Sequence, residues 1–238
     1  MIIMDRDREI LRLVYRFKFC LGRHVALLVG FTGTRACDRR LKILVDGGYL
    51  SRKKYLYGVP YLYTVTHKGR ILIGANKREN KIRLEQINHD VKVLDMLIYF
   101  KGKYGFSLDD VESERELHIK DGFGMRKHHP DFVFVYQDKN GATADNVVAD
   151  DIRYGFKDKD YAVADDKYAT ETKKYAVEVE LTLKAKENLE RNIRDNYLNY
   201  DHQIWVTSDN KIFNLIQAFA DEYANIEVIH MDKMGELI

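Results

Sequence analysis

Residues 128–200 constrain this chain more than any other stretch, because they place carboxylates inside apolar strands. HHPDFVFV is followed, further on, by YAVEVELTLK and AKENLERNIRDNYLNY. Asp131 opens the first strand, and Glu178 and Glu180 lie within the second. Side chains alternate along a strand, so Glu178, Glu180, Thr182 and Lys184 point one way. Val177, Val179, Leu181 and Leu183 then point into a core. Carboxylates in a half-buried strand cost free energy unless a divalent cation, a basic ligand or internal ion pairs compensate them.

The small net charge of +2 conceals a strong asymmetry. Residues 1–84 hold 19 Lys and Arg against 6 Asp and Glu, a balance of +13; the rest hold 20 against 31, or −11. Such a split points to a basic module for a polyanion, by default nucleic acid, joined to an acidic module with another task. At 238 residues and 45% hydrophobic, the chain is long and apolar enough for one large domain or two small ones with proper cores. No apolar run is long enough for a membrane span, and no secretory signal opens the chain. Cys20 and Cys37 fall in apolar helical patterns and read as reduced core residues of a cytoplasmic protein.

The basic half reads as three helices and a ribbon. Ile10, Leu13, Val14 and Phe17 recur with helical spacing over 5–19. RHVALLVG gives a second short helix over 23–30, and 34–46 a third that buries Cys37, Leu41 and Leu44. A hydroxyl in the FTGT turn is expected to cap that third helix. Two short strands follow around Gly58-Val59-Pro60, and Thr66 caps a further helix. This order is that of a winged helix-turn-helix, whose third helix enters the major groove while the ribbon follows the backbone. Thr34, Arg35, Arg39, Arg40 and Lys42 on the third helix, with Arg52, Lys53 and Lys54 on the ribbon, are the expected DNA contacts. The ribbon tyrosines read as cross-strand packing. The bland alternative is a solvated basic face on an ordinary helical subdomain.

Residues 1–75 are the expected DNA-binding domain, 76–84 a linker, and 85–238 a second domain with an insertion at 137–174, read as an extended hairpin or mobile loop. The second domain opens with a long helix over about 83–103. SERELHIK then reads as a strand with Glu112, Glu114 and Glu116 on one face. DFVFVYQ and YAVEVELTLK are the next strands, followed by a helix over 185–200 burying Leu189, Ile193 and Tyr197. QIWVT, a helix capped at Ser208-Asp209 and NIEVIH complete an α/β order whose last crossovers imply parallel strands. The whole chain is thus α+β.

That order resembles restriction-endonuclease-like folds, a mixed sheet flanked by helices whose metal-binding acids sit where Asp131 and Glu178 sit here. Over most of its length the chain also resembles the replication-relaxation family of plasmid and conjugative-element proteins. The resemblance rests on the N-terminal helices and ribbon, NHDVKVLDMLIYF, the glutamates around Glu114, HPDFVFV and VEVELTLKAKENLERNIRDNY. It implies a double-stranded-DNA-binding accessory protein for replication, mobilisation or relaxation of a mobile element, acting with a relaxase or a replication initiator. A homodimer is expected, since winged helices often read paired half-sites.

An endonuclease reading, a nickase in this setting, would use Asp131, Glu178 and Glu180 as catalytic acids. Glu114, Asp131 and Glu178 would hold Mg²⁺, and a Lys would assist the attacking water. Glu180 stands where that Lys is expected. Four residues of strand would place Lys184 about 13 Å from Glu180, out of reach. A degenerate nuclease site is therefore the preferred expectation and requires no cofactor. A winged-helix transcriptional regulator is a further alternative. The adjacent His128 and His129 would face opposite sides of a strand and do not form a chelating pair. GFTGTRA lacks the Lys and spacing of a phosphate loop.

Overall fold

The computed structural model describes residues 2–75, 82–122, 128–138 and 171–234. The fold is mixed, with helices and two sheets of three and five strands. By internal contacts it divides into two compact units, Met1–Ile98 with Ser113–Lys127, and Tyr99–Glu112 with His128–Leu237.

In the N-terminal unit, α1 (Asp5–Arg16), α2 (Gly22–Leu28) and α3 (Thr34–Asp46) lead into β2 (Leu50–Lys53) and β3 (Leu62–Val65). A two-residue strand, β1 (Cys20–Leu21), completes an antiparallel sheet in the order β1-β3-β2. The first helix stops short of residue 19 because the chain turns at Lys18, whose φ of 68° lies in the left-handed region. The hydroxyl cap expected for α3 is not made: Gly33 is its N-cap and no side chain bonds there. The apolar stripes are buried as their spacing requires: Ile10, Leu13 and Val14 on α1, and Cys37, Leu41 and Leu44 on α3. Both cysteines are free and buried. Burial pushes the Cys37 thiol up to about 11.

Thr66 caps α4 (His67–Leu72), its hydroxyl accepting from the Gly69 amide at 3.2 Å. Gly69 lies so close to the preceding turn that a Cβ would meet the Tyr49 carbonyl oxygen at 2.3 Å and Val65 Cγ1 at 2.7 Å. Alanine is the better helix former by about 1 kcal/mol. The clash is with backbone, however, and cannot relax by a rotamer change. We expect Gly69→Ala to destabilise the unit by roughly 1–3 kcal/mol, read as a lowered urea midpoint at unchanged slope.

Helix α5 (Ile87–Tyr104) follows a short 3-10 turn, Leu84–Gln86, and the division between units falls inside it, at Ile98/Tyr99. Residues 85–98 therefore group with the N-terminal unit rather than with the C-terminal one. Ile87 joins Phe19, Leu21 and Leu62 in one buried cluster, with Tyr55, Leu56, Val59 and Val91 against it. Asp95, fully buried, accepts from Arg23 at 2.9 Å and from His24 at 3.0 Å. The Leu21 amide donates to His24 Nδ1, which puts the ring proton on Nε2, facing Asp95. Of the expected linker, residues 76–81 lie outside the described residues.

The expected strand at SERELHIK is only β4 (Val111–Ser113); Glu114–Lys120 form helix α6. Ser113 accepts from the Glu116 amide while Glu116 Oε2 accepts from the Ser113 amide at 2.9 Å, a reciprocal capping box. That local bonding outcompetes the alternation of glutamates that suggests a strand.

In the C-terminal unit, β5 (Phe132–Asp138) pairs antiparallel with β6 (Glu171–Val179). Helix α7 (Lys186–Asn199), β7 (His202–Thr207), α8 (Asn210–Ala220) and β8 (Ile226–His230) complete it. The five-stranded order is β4-β5-β6-β7-β8, with β6, β7 and β8 parallel as the crossovers require. Of the expected insertion at 137–174, the two ends extend the hairpin and 139–170 lie outside the described residues. One face of the sheet carries Phe106, Phe134 and Tyr175 in a stack, with Phe134 and Tyr175 centroids 5.0 Å apart. A second cluster gathers Trp205, Leu189, Ile193, Ile212 and Ile216. Asp209 caps α8, accepting from the amides of Lys211 and Ile212. Tyr197, expected in the core of α7, is 45% exposed; the buried positions there include Asn192 and Asn196.

Candidate functional site

On the N-terminal unit, Thr34, Arg35, Arg39 and Lys42 are exposed along α3, and Arg52, Lys53 and Lys54 are exposed at the end of β2. Helical spacing brings Thr34, Asp38 and Lys42 onto one face. With Arg23, Arg39, Arg52, Tyr61 and Tyr63 they line an open groove of about 570 Å³ between the helices and the ribbon. The Arg39 Nε donates to the Arg35 carbonyl at 3.3 Å, which lays its side chain along the helix. Lys42 pairs with Asp46 at 2.7 Å, an exposed contact that a phosphate can displace at little cost. Arg52 stacks on Tyr61, its guanidinium carbon 4.0 Å from the ring centroid. Hydrogen bonding to Tyr61 holds the Arg52 guanidinium above its already high value.

Arg40 departs from its expected role. It turns away from the groove and clamps Asp7, a fully buried carboxylate, through both Nε and a terminal nitrogen. It is a core counter-charge rather than a DNA contact. Glu114 also departs from expectation: it lies on α6 in the N-terminal unit, 3.9 Å from Lys18 and 3.6 Å from His118, whereas Asp131 and Glu178 belong to the C-terminal unit.

In the C-terminal unit, Glu178 and Glu180 are both buried, as are Val177 and Val179, so both faces of this stretch are covered. Internal donors compensate both carboxylates. His128 Nε2 lies 2.5 Å from Glu178 Oε1, and Asn196 Nδ2 donates to the same oxygen at 3.1 Å. Asp131 Oδ2 accepts from the Val179 amide at 2.8 Å, tying the start of β5 to the end of β6. The expectation that Lys184 is out of reach is overturned. The strand ends at Val179, so the chain beyond Glu180 is not extended, and Lys184 Nζ sits 2.5 Å from Glu180 Oε2. For the same reason Leu183, expected in the core, is exposed.

Burial works against a charge on Lys184, but the hydrogen bond to Glu180, with Glu178 and Asp131 nearby, outweighs it and holds the ammonium above the usual lysine value. For His128 burial likewise favours the neutral ring, and the bond to Glu178 reverses the sign, raising it above 6.5. A raised folded value means stability that is full below the unfolded value and fades as pH climbs through the folded one. We expect His128→Gln to cost roughly 1.5–3 kcal/mol at mildly acidic pH, with the gap from the parent narrowing as pH rises. Urea unfolding of both proteins across that range measures it.

Mg²⁺, the ion a nuclease reading would take, would have to compete here with donors that the chain itself supplies. Among the described residues no group of three or more His, Cys, Asp or Glu side chains is disposed to hold a metal ion. One oxygen each of Asp131, Glu178 and Glu180 already serves a donor from the chain. His128 and Asn196 were missing from the sequence-based site. Asn196 sits eighteen residues beyond Glu178, and only the β6-α7 crossover shows that the two meet.

Comparison with protein-family models, with characterised proteins and with solved structures finds no match for the chain. Among the described residues, no helix is long and apolar enough to cross a membrane.

Proposed function

We propose that the chain is a double-stranded-DNA-binding accessory protein of a plasmid or mobile element, of the replication-relaxation kind that its motifs resemble. It acts in replication, mobilisation or relaxation, in the cytoplasm, beside a relaxase or replication initiator. In this reading the N-terminal unit is a winged helix-turn-helix, with α3 for the major groove and the β2–β3 ribbon for the backbone. The observation that carries the reading is the groove whose walls bring Arg39 and Lys42 of α3 together with Arg52 of the ribbon. A homodimer on paired half-sites completes the assembly.

The C-terminal unit is then a restriction-endonuclease-like scaffold turned to partner contact. His128 and Lys184 supply from within the chain the positive charge that buried acids need, so the site requires no cation. The return of Lys184 to Glu180 is the one feature favouring the second reading, a metal-dependent endonuclease. Incubating supercoiled plasmid with the protein and Mg²⁺ or Mn²⁺, alongside a gel shift on duplex DNA, separates the two. Binding with intact plasmid is expected. Nicking that Asp131→Ala or Glu178→Ala abolishes would establish the enzyme instead, and absence of both shift and nicking would sink both.

A further inference from the structure

We infer that the β2–β3 ribbon is a stacking platform for unpaired DNA bases, so that the preferred ligand is a duplex interrupted by a melted segment. This rests on the duplex-binding reading and specifies its substrate. Three successive cations are each matched to a tyrosine ring. Arg52 lies 4.0 Å from the Tyr61 centroid, Lys53 5.0 Å from Tyr55, and Lys54 5.7 Å from Tyr57. Tyr57 stands at the apex, 101% exposed, and Gly58 beside it takes the left-handed conformation (φ 79°) that the turn needs. The apex is not loosely tethered: Tyr55, Leu56 and Val59 pack on the buried cluster of Phe19, Leu21, Leu62 and Ile87.

Residues 51–63, SRKKYLYGVPYLY, contain no acid, so the surface selects an anion. Sites for single-stranded nucleic acid combine these same two parts, cations that follow the phosphates and rings that take the bases. Inside an intact duplex each base is covered by its neighbours and offers the Tyr57 ring no face. The platform can therefore be used only where pairing is broken, next to the duplex held by α3. Stacking tolerates any base, so this preference does not depend on the local sequence.

Fluorescence anisotropy of the full chain, at low salt, on a paired duplex and on the same duplex with a short mismatched bubble containing 2-aminopurine tests the inference. The bubble should bind tighter by roughly 5- to 150-fold, the range expected for one stacked base, and its fluorescence should be quenched on binding. Tyr57→Ala should remove both the preference and the quenching and leave paired-duplex affinity unchanged. Tyr57→Phe, which keeps the ring, should retain both. Equal affinity of the parent for the two probes, or a preference that survives Tyr57→Ala, overturns the platform and leaves duplex binding standing. Failure to bind either probe overturns both readings together.

Discussion

Arg35→Ala combined with Arg39→Ala should lose roughly 2–6 kcal/mol of specific duplex binding, since each base-reading arginine contributes about 1–3 kcal/mol. Both residues are exposed on α3, and neither is buried against a core carboxylate, so the double variant should fold like its parent. The salt dependence adds a second readout. Arginines that read bases leave the slope of affinity against salt almost intact, whereas those on phosphates reduce it by about one per residue. Lys53→Ala and Lys54→Ala, at the ribbon, should behave in the second way and weaken all sequences alike. A double Arg variant that shifts duplex DNA like the parent would show that α3 is not the reading helix.

Arg40→Ala should instead unfold the N-terminal unit, costing roughly 3–5 kcal/mol by stranding the buried charge of Asp7. Asp7 also accepts from the Met4 amide at 2.7 Å at the start of α1, so one carboxylate holds two elements. Burial works against its charge, but the hydrogen bonds from Arg40 and Met4 outweigh that cost and hold its carboxyl below the ordinary 3.8. A depressed folded value gives stability that is present above the unfolded value and lost as pH falls through the folded one. The difference between parent and Arg40→Ala should therefore be flat at neutral pH and collapse only in strong acid. Thermal or urea unfolding of both proteins measures it. A variant as stable as the parent that loses only DNA affinity would return Arg40 to the groove.

Arg39 and Arg40 show what a sequence can and cannot reveal. They are adjacent and chemically identical, but Arg40 stands three residues after Cys37 and four before Leu44, at the edge of the buried stripe, while Arg39 lies on the exposed face. Spacing thus sets Arg40 at the margin of the core, and the fold shows that its partner there is Asp7. The stripes of α1 and α3 were legible because burial itself imposes their pattern, whereas the alternation read across 177–184 gave way to burial of both faces over 176–180. The caps at Thr66 and Asp209 were legible too, since a hydroxyl or carboxylate there answers open amides. The Ser113–Glu116 box was equally visible in principle, but alternating glutamates over the same residues pointed to a strand. What the sequence could not carry is where β6 stops. Glu180 and Lys184 are near neighbours only because the strand ends at Val179, and nothing in TLK marks that end.

The N-terminal unit is not one uninterrupted stretch of polypeptide. Beyond Ile98 it lacks a piece that the chain supplies only after passing through Tyr99–Glu112. That piece brings Glu116 to Arg16 at 3.0 Å and lets Arg115 donate to the Tyr15 carbonyl at 2.7 Å. On the ribosome, then, the basic head emerges first but waits for its last segment, a delay of several seconds at ordinary rates of synthesis. A fragment cut at residue 75 would never finish: it would lack Ile87 for its apolar cluster and Asp95 for His24.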